Sequence, residues 1–310
     1  MAQWTGPSAI RVLSVVCVCV MSAAGGARPL DAAPNGSKIA FEGDRFSSWG
    51  WGLSAMNPDG SGATDLLAPF GAADAAWSPN GQQVAFEADP DGTGNLEVFL
   101  MNADGTNVRQ LTHDPEWDYW PAWFPNGQQI AFTTFRSGVP NIWVMNVDGS
   151  DQHALTADTD FGNYEPSVSP NGKTVLFGRS AQFGPPTIWS INADGSGLTQ
   201  LTQEGPHEDI SPQWSPNGKR IVFSSNRGGT YEIYVMDADG GNVTQLTASP
   251  GRDFNPTFSP DGKQIAWWKE RFGQGDVWVM NSDGSAQTNI TNTPDFFEGF
   301  PDWHQGHLGK

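Results

Sequence analysis

Apolar positions along the chain fall in short runs broken at regular intervals by turn residues. "QQIAFTT" (128–134) and "NIWVMN" (141–146) show the two kinds of run: one fills with Val, Ala, Ile and Phe, and the other is rich in β-branched and aromatic residues. Both read as strands. Between them stand two recurrent turns. Pro-Asn-Gly or Pro-Asp-Gly follows one apolar run, and Asn-x-Asp-Gly follows another, so glycine supplies the positive φ that a tight hairpin needs. Each unit predicts four strands, the last short and ending in Leu-Thr.

The unit is repeated. "WSPNGQQVAFEADPDGTGNLEVFLMNADGTNVRQLT" (77–112) returns as "WFPNGQQIAFTTFRSGVPNIWVMNVDGSDQHALT" (123–156), and again from 168, 214 and 258. The proline of the first turn falls at 34, 79, 125, 170, 216 and 260, a spacing of 44 to 46. That period marks a propeller or solenoid. The ends choose between them. The first copy, "PNGSKIAFEG", lacks its leading strand, and "EGFPDWHQ" (298–305) supplies a leading strand after the sixth copy. The expectation is an all-β, six-bladed β-propeller of four-stranded blades. The strand at Pro301 to His304 completes the blade of Ile39 to Phe41 and shuts the ring.

These repeats resemble the WD40-like (PD40) repeats of the TolB propeller family. The resemblance rests on Asp-x-x-Pro-x-Trp-Ser-Pro-Asn/Asp-Gly followed by Ile-Ala-Phe and Ile-Tyr-Val-Met-Asx-x-Asp-Gly. "DISPQWSPNGKRIVFSSNRGGTYEIYVMDADGGNVTQLT" (209–247) is a near-consensus copy. It covers residues 31–305, leaving 306–310 as a tail. It implies a cell-envelope role with a protein or peptide partner. The chain departs from the family by leaving no room for TolB's N-terminal α/β domain. The catalytic domain that follows similar propellers in prolyl oligopeptidase-type peptidases is also missing.

Composition adds location and partners. In "IRVLSVVCVCVMSAAGGA" Arg11 precedes an apolar run from Val12 to Met21 and then small residues, which reads as a signal peptide over 1–27. Both cysteines, Cys17 and Cys19, lie within it, so the exported chain is expected to be free of thiols. No later stretch is apolar enough to span a bilayer. The expected location is periplasmic or secreted, as a monomer. The net charge of −18 disfavours nucleic acid and anionic membranes and favours basic partners or divalent cations.

Propellers commonly bind at the channel mouth, on the loops that lead into each innermost strand. Three residues before the proline there stand Asp118, Asn163, Asp209, Asp253 and Glu298; the blade of Trp77 has Ala72 instead, with Asp74 nearby. Arg45, Arg136, Arg179, Arg227 and Arg271 recur in step with them. A repeated acid with a repeated base predicts salt bridges between blades that hold the ring. Asp160, Glu165 and Glu208 lack this rhythm and are the better binding candidates, with the aromatics Trp117, Tyr119, Tyr164 and Phe254. Acids beside aromatics suit a basic peptide or a sugar. No cofactor is implied. Calcium is considered only because "DPDGTGN" (89–95) carries carboxylates in a Gly-rich loop, though without an EF-hand's length or terminal Glu. The histidines show no ligand spacing, and there is no Gly-x-Ser-x-Gly elbow. The function read from the sequence is a non-catalytic binding module. The alternative is a carbohydrate-active propeller, a lyase or glycosidase using mouth carboxylates.

Overall fold

A computed structural model describes residues 36–43, 52–67, 71–181, 184–271, 273–294 and 296–304. The leader read over 1–27, both cysteines, Arg45 and the tail 306–310 lie outside the described residues. Six antiparallel sheets of four strands are arranged as a ring of blades.

Blade one contains β1 (Lys38–Gly43), β2 (Gly52–Met56) and β3 (Thr64–Leu67). Blade two contains β4 (Ala72–Trp77), β5 (Gln83–Ala88), β6 (Glu97–Asn102) and β7 (Arg109–Gln110). Blade three contains β8 (Asp118–Trp123), β9 (Gln129–Thr134), β10 (Asn141–Asn146) and β11 (His153–Ala154). Blade four contains β12 (Phe161–Val168), β13 (Thr174–Ala181), β14 (Thr187–Asn192) and β15 (Thr199–Gln200). Blade five contains β16 (Asp209–Trp214), β17 (Arg220–Ser225), β18 (Glu232–Asp237) and β19 (Thr244–Gln245). Blade six contains β20 (Arg252–Phe258), β21 (Gln264–Arg271), β22 (Gln274–Asn281) and β23 (Thr288–Asn289). The last strand, β24 (Glu298–His304), pairs with β1 as the innermost strand of blade one, with Ile39 opposite Trp303 and Lys38 opposite His304. The ring is closed by the strand expected from the sequence.

The core lies between blades. Ala85, Val98 and Leu100 of blade two pack on Trp123, Ile130, Phe132 and Met145 of blade three. Ile39, Phe41 and Met56 of blade one pack with Trp303 on Ala266, Val277 and Val279 of blade six. A sheet covered on both faces needs near-continuous apolar strands, which is why "KIAFEG" and "QIAFTT" do not alternate strictly.

The repeated turn residues have separate tasks. The Leu-Thr threonine replaces a ladder bond at the short outer strand: Thr112 Oγ1 accepts the Val98 N–H at 2.9 Å and donates to Glu97 at 2.6 Å. Thr156, Thr202, Thr247 and Thr291 receive the equivalent N–H groups of Ile142, Ile188, Ile233 and Val277. The Asn-x-Asp-Gly glycine docks one blade on the previous one. A Cβ at Gly105 (φ +81°) would stand 2.0 Å from the Leu66 carbonyl oxygen. The hairpin therefore sets the spacing between blades as well as reversing the chain.

Candidate functional site

Every innermost strand carries a β-bulge in the same place. In β4 the pairing with β5 jumps from Ala73 to Ala76, and in β8 the pairing with β9 jumps from Tyr119 to Ala122. The bulge residue has left-handed backbone in all six blades: Asp74 (φ 46°), Trp120 (54°), Glu165 (54°), Ser211 (52°), Asn255 (47°) and Phe300 (50°). Trp, Glu, Ser and Phe rarely adopt this conformation, which costs such a residue about 1–2 kcal/mol. In five blades a proline follows the bulge residue. All six bulge residues line one cavity of about 590 Å³ that occupies the channel.

The wall continues from the bulge ring through Ala76, Ala122, Ser167, Gln213, Thr257 and Asp302. It ends at Pro79, Pro125, Pro170, Pro216 and Pro260 of the Pro-Asn/Asp-Gly turns. No described residue of the lead-in loops lines it, and neither does any lysine or arginine. Just beyond the bulge ring, aromatics fill the space. Tyr119 lies 4.4 Å from Trp120 between ring centroids, and Trp120 meets Tyr164 edge-on. On the other side Trp268 packs against Phe254, Phe297 and Phe300.

Carboxyl groups concentrate at the bulge ring. Glu42 Oε2 accepts the Asp74 N–H at 3.1 Å, and Glu87 Oε2 accepts the Trp120 N–H at 2.8 Å, each bond crossing to the next blade. Blade four has Gly178 where these glutamates stand, and there Glu165 from β12 takes the role, accepting the Ser211 N–H at 2.5 Å. Burial raises the Glu42 and Asp74 pKa well above the carboxylate range, helped by Asp74 beside Glu42 and by Glu87 and Glu165 around Asp74. Glu87 is pushed up to about 8, chiefly by burial, and Glu165 is also raised by burial. Lower on the wall, Asp302 accepts the Trp77 N–H at 2.8 Å, and burial raises it to about 6.

Of the residues expected at the mouth, Glu165 alone lines this cavity. Tyr119, Tyr164 and Phe254 are buried in the aromatic packing. Trp117 is 45 % exposed and Asp160 is exposed, both on the lead-in side. Glu208 is half-buried, accepts from the Tyr231 hydroxyl, and is raised by burial. Glu42 and Glu87 were not singled out from sequence. Their only signal is an acid directly after the buried Phe of a second strand.

The recurrent charges are paired, but within blades rather than between them. Arg136 meets Asp118 at 2.5 Å, and Arg227 meets Asp209 at 2.7 Å. Arg179 donates to Asp158 at 2.8 Å and to Asn163 at 3.0 Å. The strand register explains this: Asp118 lies opposite Thr134 and Asp209 opposite Ser225, two residues before each arginine. Asp253 pairs with Lys269 at 3.2 Å, while Arg271 sits exposed at the end of β21. Glu298 accepts from Thr293 Oγ1 at 2.5 Å. In the loop weighed for calcium, Asp89 accepts the Gly94 N–H at 2.7 Å and Asp91 accepts from Thr93 Oγ1 at 2.8 Å, so these acids cap their own turn. Among the described residues no three His, Cys, Asp or Glu side chains are grouped to hold a metal ion. No helix there is long and apolar enough to cross a membrane.

The family model described as the TolB beta propeller domain matches residues 33–210 and 204–300. TolB from Acinetobacter baumannii superposes with a TM-score of 0.73 at 21 % identity, over 87 % of this chain and 68 % of that one. A putative TolB from Agrobacterium tumefaciens gives 0.67 at 19 %, over 87 % and 99 %. An oligogalacturonate lyase in complex with manganese gives 0.58 at 16 %, over 82 % and 73 %. These identities speak for the fold alone. No curated protein gives a significant sequence match.

Proposed function

The chain belongs to the TolB β-propeller family, and from that premise we propose that it is an exported, non-catalytic binding module of the cell envelope. It engages a protein or peptide partner at its channel. The observation that carries this reading is the cavity of about 590 Å³ lined by Asp74, Glu165 and Asp302 with no lysine or arginine on its wall. A low-dielectric cup whose acids meet no lysine or arginine on the wall favours cationic guests, which let those acids ionise. Export is supported by the leader-like segment at 1–27, and an envelope partner by the family. The test is a pull-down from envelope extract with the purified protein, followed by titration of the captured partner's peptides. Capture lost when the cavity is blocked by Ala122→Trp supports the reading; capture unchanged by that substitution refutes it.

A carbohydrate-active reading has one observation in its favour: burial raises Glu87 to about 8, so it holds a proton at neutral pH, as a general acid must. Among the described residues the wall offers the carboxylates of a polyuronate no lysine or arginine. Turnover of neutral glycans abolished by Glu165→Gln would favour this second reading.

A further inference from the structure

The bulge ring is not uniform around the channel. On three consecutive blades it reads Asp74, Trp120, Glu165, so an indole stands between two carboxyls; the other half reads Ser211, Asn255, Phe300. Behind the first half lie Glu42 and Glu87, buried beneath the Asp74 and Trp120 bulges. Ser211 lines the cavity next to Glu165 and is 5 % exposed, and its Oγ lies beside the Glu165 carboxyl without completing a hydrogen bond of good geometry. A buried hydroxyl without a well-formed hydrogen bond is uncommon and indicates a place where a guest or ordered water completes the site.

We propose that this acid–indole–acid arc receives a single primary ammonium group, carried on a lysine side chain or a polypeptide N-terminus. It is inserted from the end of the ring that bears the Pro-Asn/Asp-Gly turns. The proposal rests on the binding-module reading and specifies its ligand chemistry.

The geometry separates ammonium from its competitors. The two carboxyls on this stretch of wall already have protein donors: Glu165 the Ser211 N–H, and Asp74 the Trp120 side chain. Guests are left separate oxygens rather than a fork. A planar guanidinium is matched by a bidentate fork, whereas an ammonium directs three donors at separate acceptors. A divalent ion needs several ligands converging on one point, and among the described residues none do so. Trp120, which lines the wall between the two acids, offers its π system to a cation. Burial holds the Asp74 and Glu165 carboxyls up, with repulsion from Glu87 and Glu165 adding at Asp74, and a bound cation offsets these effects. Five residues of strand separate Asp74 from Pro79, roughly 16 Å. That is deeper than a side chain is long, so the carrier is a slender loop or a chain end.

Three peptides test this by calorimetry at low salt. Acetyl-Gly-Lys-Gly-amide carries only a side-chain ammonium, Gly-Gly-Gly-amide only a terminal one, and acetyl-Gly-norleucine-Gly-amide none. Saturable binding of one or both cationic peptides, with at least tenfold weaker binding of the blocked one, is expected; which cationic peptide binds identifies the source. Asp74→Asn with Glu165→Gln should weaken that binding at least tenfold. Both changes are isosteric, and asparagine tolerates left-handed backbone, so the ring should stay folded and melt no lower than the parent. Exposed Glu116→Gln should change nothing. If the double variant folds normally and binds like the parent, or the blocked peptide binds equally, the ammonium site is wrong while the binding-module reading stands. If no peptide binds and the envelope capture also fails, both fall.

Discussion

The Glu87 carboxylate accepts the backbone N–H of Trp120 from the next blade at 2.8 Å, and burial lifts its pKa to about 8. The acid that joins two blades is therefore protonated at neutral pH. Folding costs energy whenever it must ionise.

This fixes the sign of the pH dependence. Glu87 is raised from 4.5 to about 8, Glu97 to about 7 and Asp302 to about 6; Glu42 and Asp74 are raised well above their ordinary values. The stability from a raised pKa is complete below the unfolded value and is lost as pH climbs through the folded one. The groups held down, such as Asp104 and Asp148, lie on exposed turns and act only in more acid solution. The melting temperature should therefore rise as pH falls from about 8.5 to about 5. Glu87→Gln, whose amide oxygen still accepts from Trp120, should flatten this slope and stabilise the protein at pH 8 by about 1–3 kcal/mol. A melting series across pH for the two proteins measures both.

Asp209 is fully buried and faces Arg227, whose guanidinium also lies over the rings of Phe223 and Tyr234. Asp209→Ala leaves that charge without its partner and should cost about 3 kcal/mol in denaturant unfolding. Adding Arg227→Met should recover part of the loss. A loss in the double variant equal to the sum of the two single losses would show that the pair has no coupling.

Gly105 and Gly92 both have left-handed backbone, but only Gly105 abuts a neighbour, the Leu66 carbonyl. Gly92→Ala should cost about 1 kcal/mol, the conformational term alone. Gly105→Ala should cost clearly more, since blade two must move off blade one. Denaturant midpoints of the two variants decide it.

Ending the chain at residue 297 removes β24 and uncovers Ile39, Phe41 and Met56. The product should aggregate or lose its cooperative melt, as read by light scattering and calorimetry. Trp303→Ala, a milder wound in the same cluster, should cost about 3–5 kcal/mol.

The blades were legible because each turn states its own chemistry. Pro-Asn-Gly and Asn-x-Asp-Gly announce hairpins whatever surrounds them, and their period counts the blades. The order of the ends likewise revealed β24 beside β1. The site was less legible. The bulge residues read as ordinary positions before a proline, and nothing in "EWDYWPAW" announces that Trp120 turns into the channel while Tyr119 is buried. Glu165 looked irregular because it substitutes for the side chain that Gly178 lacks, a relation that exists only across strands. Arg136 and Arg227 meet the aspartates that share their rhythm, but within their own blade, since register decides which acid each one faces, and Asp253 takes Lys269 instead of an arginine.

The pairing of β1 with β24 also dictates an order of events. Every other strand pairing among the described residues joins strands consecutive in the chain, so blades two to six can form from local hairpins as they are made. Blade one cannot. Its innermost position stays vacant until residues 298–304 arrive, and the Trp77–Asp302 bond spans 225 positions. Such a closure pays its loop entropy last, and slow long-range pairing is characteristic of high contact order. During synthesis the nascent chain therefore carries an unpartnered β1 edge until residues 298–304 are made. That edge is the segment a holding chaperone would protect and the point where two unfinished chains would exchange strands.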